Sequence, residues 1–176
     1  MFSWSRVKVL PRNWKIASKH CETRNSFNKY IKWTEATFLP FLQTEYPWFV
    51  DVYKAYPYDV QRVDAAKYFI MYHFGGVYVD MDMNCRRNIW YFTSKISHNH
   101  SVALVRTEPM GFATDFMASK PRQPFFHHVI VRLYETSQRN YIFPYLTVLF
   151  ATGPMFLTSC VNSYKGNNSE NNFHVI

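Results

Sequence analysis

Cysteine is scarce in this sequence: Cys21, Cys85 and Cys160 are the only three in 176 residues. So small, odd and widely spaced a set excludes a full disulfide framework and a metal-ligand pattern, and leaves room for one bridge at most. Acids are scarce too, 12 Asp and Glu against 20 Lys and Arg. Arg6, Lys8, Arg12, Lys15, Lys19, Arg24, Lys29 and Lys32 crowd the first 32 residues, where Glu22 is the only acid. No nucleic-acid recognition motif and no zinc-finger spacing accompanies this charge, which argues against nucleic acid as the partner. A solvated basic face, a face for a diphosphate ligand and a face for an anionic membrane surface stay open. No apolar run follows the basic start, so no signal peptide is legible. Repeats are absent, and so is low complexity outside the polar tail of residues 162–176, which includes "NSYKGNNSENN".

Charge is missing altogether from "YIFPYLTVLFATGPMFLTSCV" at 141–161. That length suits a membrane span. Pro144 and the Gly153-Pro154 pair interrupt it, and interior proline costs a helix about 3 kcal/mol, so two short buried elements are the expectation. What the chain has in quantity is apolar mass: it is 48% hydrophobic and 19% aromatic, with 16 Phe and 13 Tyr. That is enough for a substantial core and excludes pervasive disorder. Most of the rings belong in that core, with some polar-tipped ones suited to a binding surface. The length fits one domain over 1–176. Two N-x-S sequons, Asn99-His100-Ser101 and Asn167-Asn168-Ser169, permit a secretory-pathway location.

The pattern along the chain mixes strands and helices. "KYIKW" (29–33) reads as a short strand. Residues 34–58 read as helices broken near Pro40 and Pro47, with Thr34 as a first cap. From Asp59, Val60, Val63, Ala66, Ile70 and Phe74 recur at helical steps, and Gly75-Gly76 should end that helix. "VYVDMDM" (77–83) and "SVALVRT" (101–107) read as strands, residues 125–137 as a helix, and 153–164 as a final helix with Pro154 in its first turn. This alternation predicts an α/β fold with helices packed on a mostly parallel sheet.

Within that plan Asp80 and Asp82 end a strand, and residues two apart in a strand project to one side. Paired carboxylates repel unless a cation lies between or beyond them. A hard ion such as Mn²⁺ or Mg²⁺ takes oxygen ligands and keeps positions open for substrate phosphates. Strand ends of open α/β sheets are where such ligands bind. Two solvated acids are the alternative reading of so short a motif. On the preceding helix Asp64 and Lys67 stand three apart and share a face, as a surface ion pair would. Gly76 lets the backbone pass close to a neighbour or ligand. His127 and His128 suit structural roles in an apolar helix, and His73 suits a helix C-terminus.

The stretch "QRVDAAKYFIMYHFGGVYVDMD" (61–82) resembles the signature R-x-D-x-x-R-Y-x-x-L-x-x-x-G-G-x-Y-x-D-x-D of glycosyltransferases with a D-x-D sugar-binding region. That family includes the inositol phosphoceramide mannosyltransferases and the initiating α-1,6-mannosyltransferase. "LPRNWKIASKHC", "FATDFMASKPRQPFF" and "TVLFATGPMFLT" also resemble family segments, so the match extends over about residues 10–160. It is nearest to the mannosyl-inositol-phosphoceramide type.

The resemblance implies a GT-A fold, a nucleotide-sugar donor (GDP-mannose favoured, a UDP-hexose as the alternative), Mn²⁺ or Mg²⁺, and hexose transfer with retention. It implies a lipid-linked or glycan acceptor and a lumenal site on a Golgi or other secretory-pathway membrane. By position, Asp82 would hold the metal directly, and Asp80 the metal shell or the ribose. Asp64 would accept hydrogen bonds from sugar hydroxyls, Tyr78 would pack beside the donor, and Arg62 would support the helix or the donor site. Thr152-Gly153-Pro154 would form a loop near the acceptor side, and Asp115 is a nearby carboxylate for catalysis, or a loop cap. Lys67 stands where the family has arginine, keeping the charge without the planar fork. Thr114 and Gln123 replace a frequent asparagine and histidine. The family's opening strand is expected to be absent, with Trp4 as its only trace, and its C-terminal histidine element reduced to "FHVI" (173–176). A shortened chain of this kind also fits a catalytically inactive subunit, and a basic membrane- or nucleic-acid-binding module is a third reading.

Overall fold

A computed structural model of the chain describes residues 2–4, 11–25, 29–94, 101–108, 111–137, 139, 141–167 and 173–175. In chain order its first half comprises β1 (Phe2–Trp4), α1 (Arg12–Arg24), β2 (Ile31–Trp33), α2 (Glu35–Glu45), a 3-10 turn (Pro47–Phe49), α3 (Val50–Ala55) and α4 (Asp59–Phe74). Then follow β3 (Gly76–Val79), α5 (Trp90–Thr93), β4 (Val102–Arg106), β5 (Phe112–Ser119), α6 (Pro124–Glu135), α7 (Pro144–Ala151), α8 (Pro154–Asn167) and β6 (Phe173–Val175). The six strands form one sheet in the order β2-β1-β3-β5-β4-β6.

The sheet is mixed. β1 runs parallel to β2 and β3, and β6 parallel to β4. The long β5 runs antiparallel to both of its neighbours. The expectation of a mostly parallel sheet therefore holds on the flanks and fails at the centre. β5 itself carries no helical or alternating signal, because it is covered on both faces and mixes Thr114, Asp115 and Ser119 among its apolar residues. The strand expected to be missing is present: Phe2–Trp4 pairs with both Ile31–Trp33 and Tyr78. At the other end Phe173–Val175 joins the sheet beside β4, and α8 runs on to Asn167, into what reads in the sequence as polar tail.

Local chemistry explains most of the helices. Thr34 caps α2 through a reciprocal box with Thr37. The predicted break at Pro40 does not occur: Pro40 and Ala36, whose carbonyl loses its partner, both lie on the exposed side, while Phe38 and Leu42 are buried. Pro47 does break the chain, opening the 3-10 turn. Gly75 ends α4 with φ +61, and a Cβ there would meet the Pro121 nitrogen at 2.4 Å. The aromatic mass is mostly core, as in the contacts Trp4–Phe38 (5.4 Å) and Phe49–Phe69 (4.7 Å). Two of the histidines make contacts within the fold: His73 with Tyr46 and Arg122, and His128 with Ser163.

The two faces of the sheet are covered unequally. Tyr78, Val102, Leu104 and Met117 belong to the large core shared with α4, α6 and α8. Val77, Val79, Ala103 and Ala118 face a small cluster with Cys21, Cys85 and Ile89. A disulfide joins Cys21 to Cys85, and Cys160 is buried as a free thiol. The uncharged stretch divides at Thr152-Gly153 into α7 and α8, as the sequence suggests, but α7 is only half-buried: Thr147 and Ala151 face inward, while Tyr145 in its first turn and Ile142 and Phe143 ahead of it are exposed. By length and composition Pro144–Lys165 is apolar enough to cross a membrane. Asn99, Asn168, Arg6 and Lys8 lie outside the described residues.

Candidate active site

β3 stops one residue before the first aspartate. The Asp80 N–H donates to the Asp115 carbonyl at 2.9 Å, and the Met83 N–H returns to the Asp80 carbonyl at 3.1 Å. Residues 80–83 are thus a turn, and the alternation of a strand is not what groups the carboxylates. The turn buries Met81 and leaves Asp82 exposed. Both aspartates still line one notch of about 160 Å³, walled by Trp4, Trp14, Val60, Val63 and Met81 and floored by Asp64 and Lys67.

The floor is an ion triad. The Lys67 ammonium lies 3.2 Å from Asp64 and 3.1 Å from Asp80, with Asp64 and Lys67 side chains buried. Tyr78 donates to the other Asp80 oxygen at 2.8 Å, and its ring lies 5.3 Å from the ammonium. Behind Asp64, Thr152 offers its hydroxyl at 3.5 Å, and the Tyr68 hydroxyl donates to the Thr152 carbonyl at 2.8 Å. Burial works against the Lys67 charge, but Asp64 and Asp80 together outweigh it and hold the ammonium protonated. Burial pushes the Asp64 carboxyl up to about 6, against the pull of Lys67. The pair is therefore no surface salt bridge. Removing one member would leave a buried charge uncompensated, at about 3–5 kcal/mol.

The structure brings Asp64, Lys67, Asp80 and Asp82 together and distributes the other predicted residues elsewhere. Arg62 turns away from the notch to the Tyr56 carbonyl, Asp59 and Glu35, tying α4 to α2 and the end of α3. Gly76 opens β3 opposite Ser119, at the end of the strand far from the carboxylates. Tyr78 is fully buried beneath Asp80, to which its hydroxyl donates. Thr152 and Gly153 form the elbow between α7 and α8, behind Asp64. Asp115 is a strand residue, not a loop cap, and lines a separate cavity of about 480 Å³. Burial and the Asp80 charge raise its pKa. Trp14 and Tyr68 are additions that sequence reasoning missed. Trp14 was visible in "LPRNWK" and Tyr68 in the signature, but neither pattern shows what the ring touches.

Among the described residues no group of three or more His, Cys, Asp or Glu surrounds a common point. The donor set nevertheless suits Mn²⁺ or Mg²⁺ sharing its shell with substrate oxygens and water. Each Asp80 oxygen already accepts one hydrogen bond, from Lys67 or Tyr78, whereas Asp82 accepts none among the described residues. Asp82 thus keeps both carboxylate oxygens open among the described residues, and Asp80 keeps lone pairs beyond its two hydrogen bonds.

The notch is thus a strand-end turn bearing D-x-D, backed by a buried Asp–Lys pair on the preceding helix. The chain belongs to the glycosyltransferase family described as "sugar-binding region containing DXD motif", whose model matches residues 11–103. It is 36% identical over 163 residues to inositol phosphoceramide mannosyltransferase 2 of Schizosaccharomyces pombe, covering 93% of this chain and 45% of that protein. It is 36% identical over 160 residues to mannosyl phosphorylinositol ceramide synthase SUR1 of Saccharomyces cerevisiae, covering 91% and 40%. The chain thus spans less than half the length of these curated relatives. Among solved structures, PaToxG glycosyltransferase superposes with a TM-score of 0.67 at 13% identity, over 96% of this chain and 69% of that one, a likeness of fold alone.

Proposed function

We propose that this chain forms the donor-binding part of a metal-dependent, retaining glycosyltransferase of GT-A type. It moves a hexose, mannose in the favoured case, from a nucleotide sugar (GDP-mannose before a UDP-hexose) to an inositol-phosphoceramide-type or glycan acceptor. The single observation that carries this reading is the notch itself, in which the Asp64–Lys67–Asp80 triad is buried and Asp82 is presented. The relatives' names supply mannose and the acceptor class. A secretory-pathway site, Golgi and lumenal, accords with the Cys21–Cys85 bridge, since such bonds persist in oxidising compartments.

In the reaction the acceptor hydroxyl oxygen bonds to the anomeric carbon as the bond from that carbon to the diphosphate oxygen breaks. The departing nucleoside diphosphate keeps the electron pair, and the hydroxyl proton passes to one of its oxygens. A bound divalent ion would neutralise charge developing on that leaving group. Asp82 and Asp80 would hold it. Asp64 accepts from donor-sugar hydroxyls while Lys67 and Thr152 fix its carboxylate. Trp4 and Trp14 wall the notch and narrow the access of water. Because these groups are held before the donor arrives, little reorganisation is left for the reaction itself.

Calorimetry with GDP-mannose, UDP-galactose and UDP-glucose, each with and without Mn²⁺, tests the reading. One of them should bind in a Mn²⁺-dependent manner, and Asp82→Asn should abolish that binding while leaving the circular dichroism spectrum unchanged. Metal-independent binding that survives Asp82→Asn would refute it. A subunit without turnover is the second reading, favoured by Lys67, which uses its ammonium inside the protein where relatives carry an arginine fork. Nucleotide binding without transfer to an added lipid acceptor would select that reading.

A further inference from the structure

The cavity that Asp115 lines lies across β3 and β5 from the notch. Its walls are apolar, built by Val79, Ile89, Val105, Ala113 and Phe116. Its mouth is not: Arg86 and Arg87 line it as well, both exposed. Among the described residues neither guanidinium has an ion pair, although the arginines of α4 and α6 do. An arginine fork matches phosphate oxygens bidentately. Met83, which also lines the cavity, is exposed, as are Trp90 and Tyr91 in α5, Trp90 by 71%.

The segment that carries the two arginines is irregular, yet it is fastened at several points to the end of α1. Cys85 is bridged to Cys21. The Arg24 guanidinium donates to the Arg86 carbonyl, the Ile89 N–H donates to Asn25 at 2.6 Å, and Asn88 donates to the Arg24 carbonyl at 3.2 Å. One helix end thus fixes the backbone on both sides of Arg87 while the charged side chains stay outside. A loop held this firmly with its charges unpaired is preorganised for an anion.

The cavity and the notch are contiguous through the backbone. Val79 lines the cavity and precedes Asp80, and the Asp80 N–H is bonded to Asp115, which lines the cavity in turn. We infer that this cavity is the acceptor subsite, and that it takes an amphiphile whose phosphodiester lies on Arg86 and Arg87. The apolar chain next to the phosphate enters between Ala113, Val105 and Phe116. The hydroxylated head group then lies toward Asp115, whose carbonyl accepts the Asp80 N–H where the cavity and the notch meet at the strand end. This assignment rests on the glycosyltransferase reading above and goes beyond it by naming the cavity and the residues that would seat the acceptor's phosphodiester.

Flotation of the purified chain with phosphatidylcholine vesicles, doped either with phosphatidylinositol or with an equal charge of phosphatidylserine, tests it without any transfer reaction. The chain should prefer the phosphatidylinositol vesicles. Arg86→Ala combined with Arg87→Ala should weaken that binding by about tenfold or more, the loss of at least one charge-assisted contact. Ala113→Leu keeps both charges and fills the cavity, and it should weaken binding similarly. Equal binding to both kinds of vesicle, or an Ala113→Leu chain that binds like the parent, would overturn the subsite by reducing it to a basic surface. GDP-mannose calorimetry run in parallel separates the two claims. The arginine variant should bind donor like the parent if the subsite is separate from the notch, and a loss of donor binding in that variant would overturn the division. A parent chain that binds no donor yet selects phosphatidylinositol would defeat the enzyme reading while leaving a lipid head-group site.

Discussion

The two sides of the β3 terminus solve the same problem, holding charge at a strand end, in opposite ways. On the α4 side Lys67 and Asp64 are buried, and the one ammonium is shared between Asp64 and Asp80. On the far side Arg86 and Arg87 are exposed and unpaired among the described residues, and order comes from a disulfide and backbone hydrogen bonds to α1. The first arrangement couples site to stability, because desolvated charges punish the loss of a partner. The second separates them, because the loop's rigidity does not depend on its charged side chains. Substitutions on the two sides should therefore fail differently.

The largest effect is expected at Lys67. Lys67→Met removes the shared cation and leaves two carboxylates, one of them buried, facing each other. Urea denaturation should show a loss of about 3–5 kcal/mol. A Lys67→Met chain as stable as the parent would break the contrast, since the triad would then be dispensable to the fold. Next comes the bridge. Cys21→Ser with Cys85→Ser should cost about 2–4 kcal/mol. Amide exchange should rise in residues 83–89 more than in α4, while Mn²⁺-dependent nucleotide binding persists. Exchange rising equally on both sides would show that the loop and the notch form one cooperative unit. Smaller again is Tyr78→Phe, which deletes the hydrogen bond to Asp80 inside an intact core. It should cost about 1.5–3 kcal/mol, the range for a bond to a charged group, with no change in phosphatidylinositol selection.

How much of this contrast the sequence discloses differs between the sides. The α4 side is written in local terms: a helical period, a glycine that only a positive φ explains, and a signature that groups Asp64, Lys67, Asp80 and Asp82. Not legible there are the positions of Gly76, at the far end of β3, and of Tyr78, in the layer beneath Asp80, because a signature lists residues in order without saying which end of a strand or which layer each occupies. The far side is written in long-range terms. "NCRRN" has no period, and its conformation depends on Cys21, Arg24 and Asn25, which lie about 64 positions away. Three cysteines allow more than one pairing, so sequence could state that a bridge was permitted but not which. β5 is hidden for a related reason. It is covered on both faces, its pairing with β4 shifts register between Leu104 and Arg106, and so no alternation marks Asp115 as a strand residue. β1 has only three residues and becomes a strand through its partners.

The finest discrimination comes from pH, because burial on the α4 side shifts the Asp64 carboxyl up to about 6. In the folded chain Asp64 binds a proton more readily than its ordinary value of 3.8 would allow. Its contribution to stability is therefore complete below 3.8 and is lost as the pH rises through about 6. Donor binding runs the other way, since an acceptor of sugar hydroxyl protons must be ionised. From neutral pH down to about 6, nucleotide-sugar affinity should fall about twofold as half of Asp64 takes up a proton. Over the same interval this residue's share of stability should grow. Asp64→Asn should flatten both trends and lower the affinity at neutral pH, and isothermal titration alongside thermal melts reads the two together. If affinity and stability instead fell in parallel on acidification, and did so equally in Asp64→Asn, the buried carboxyl would not be the group that couples donor binding to the fold.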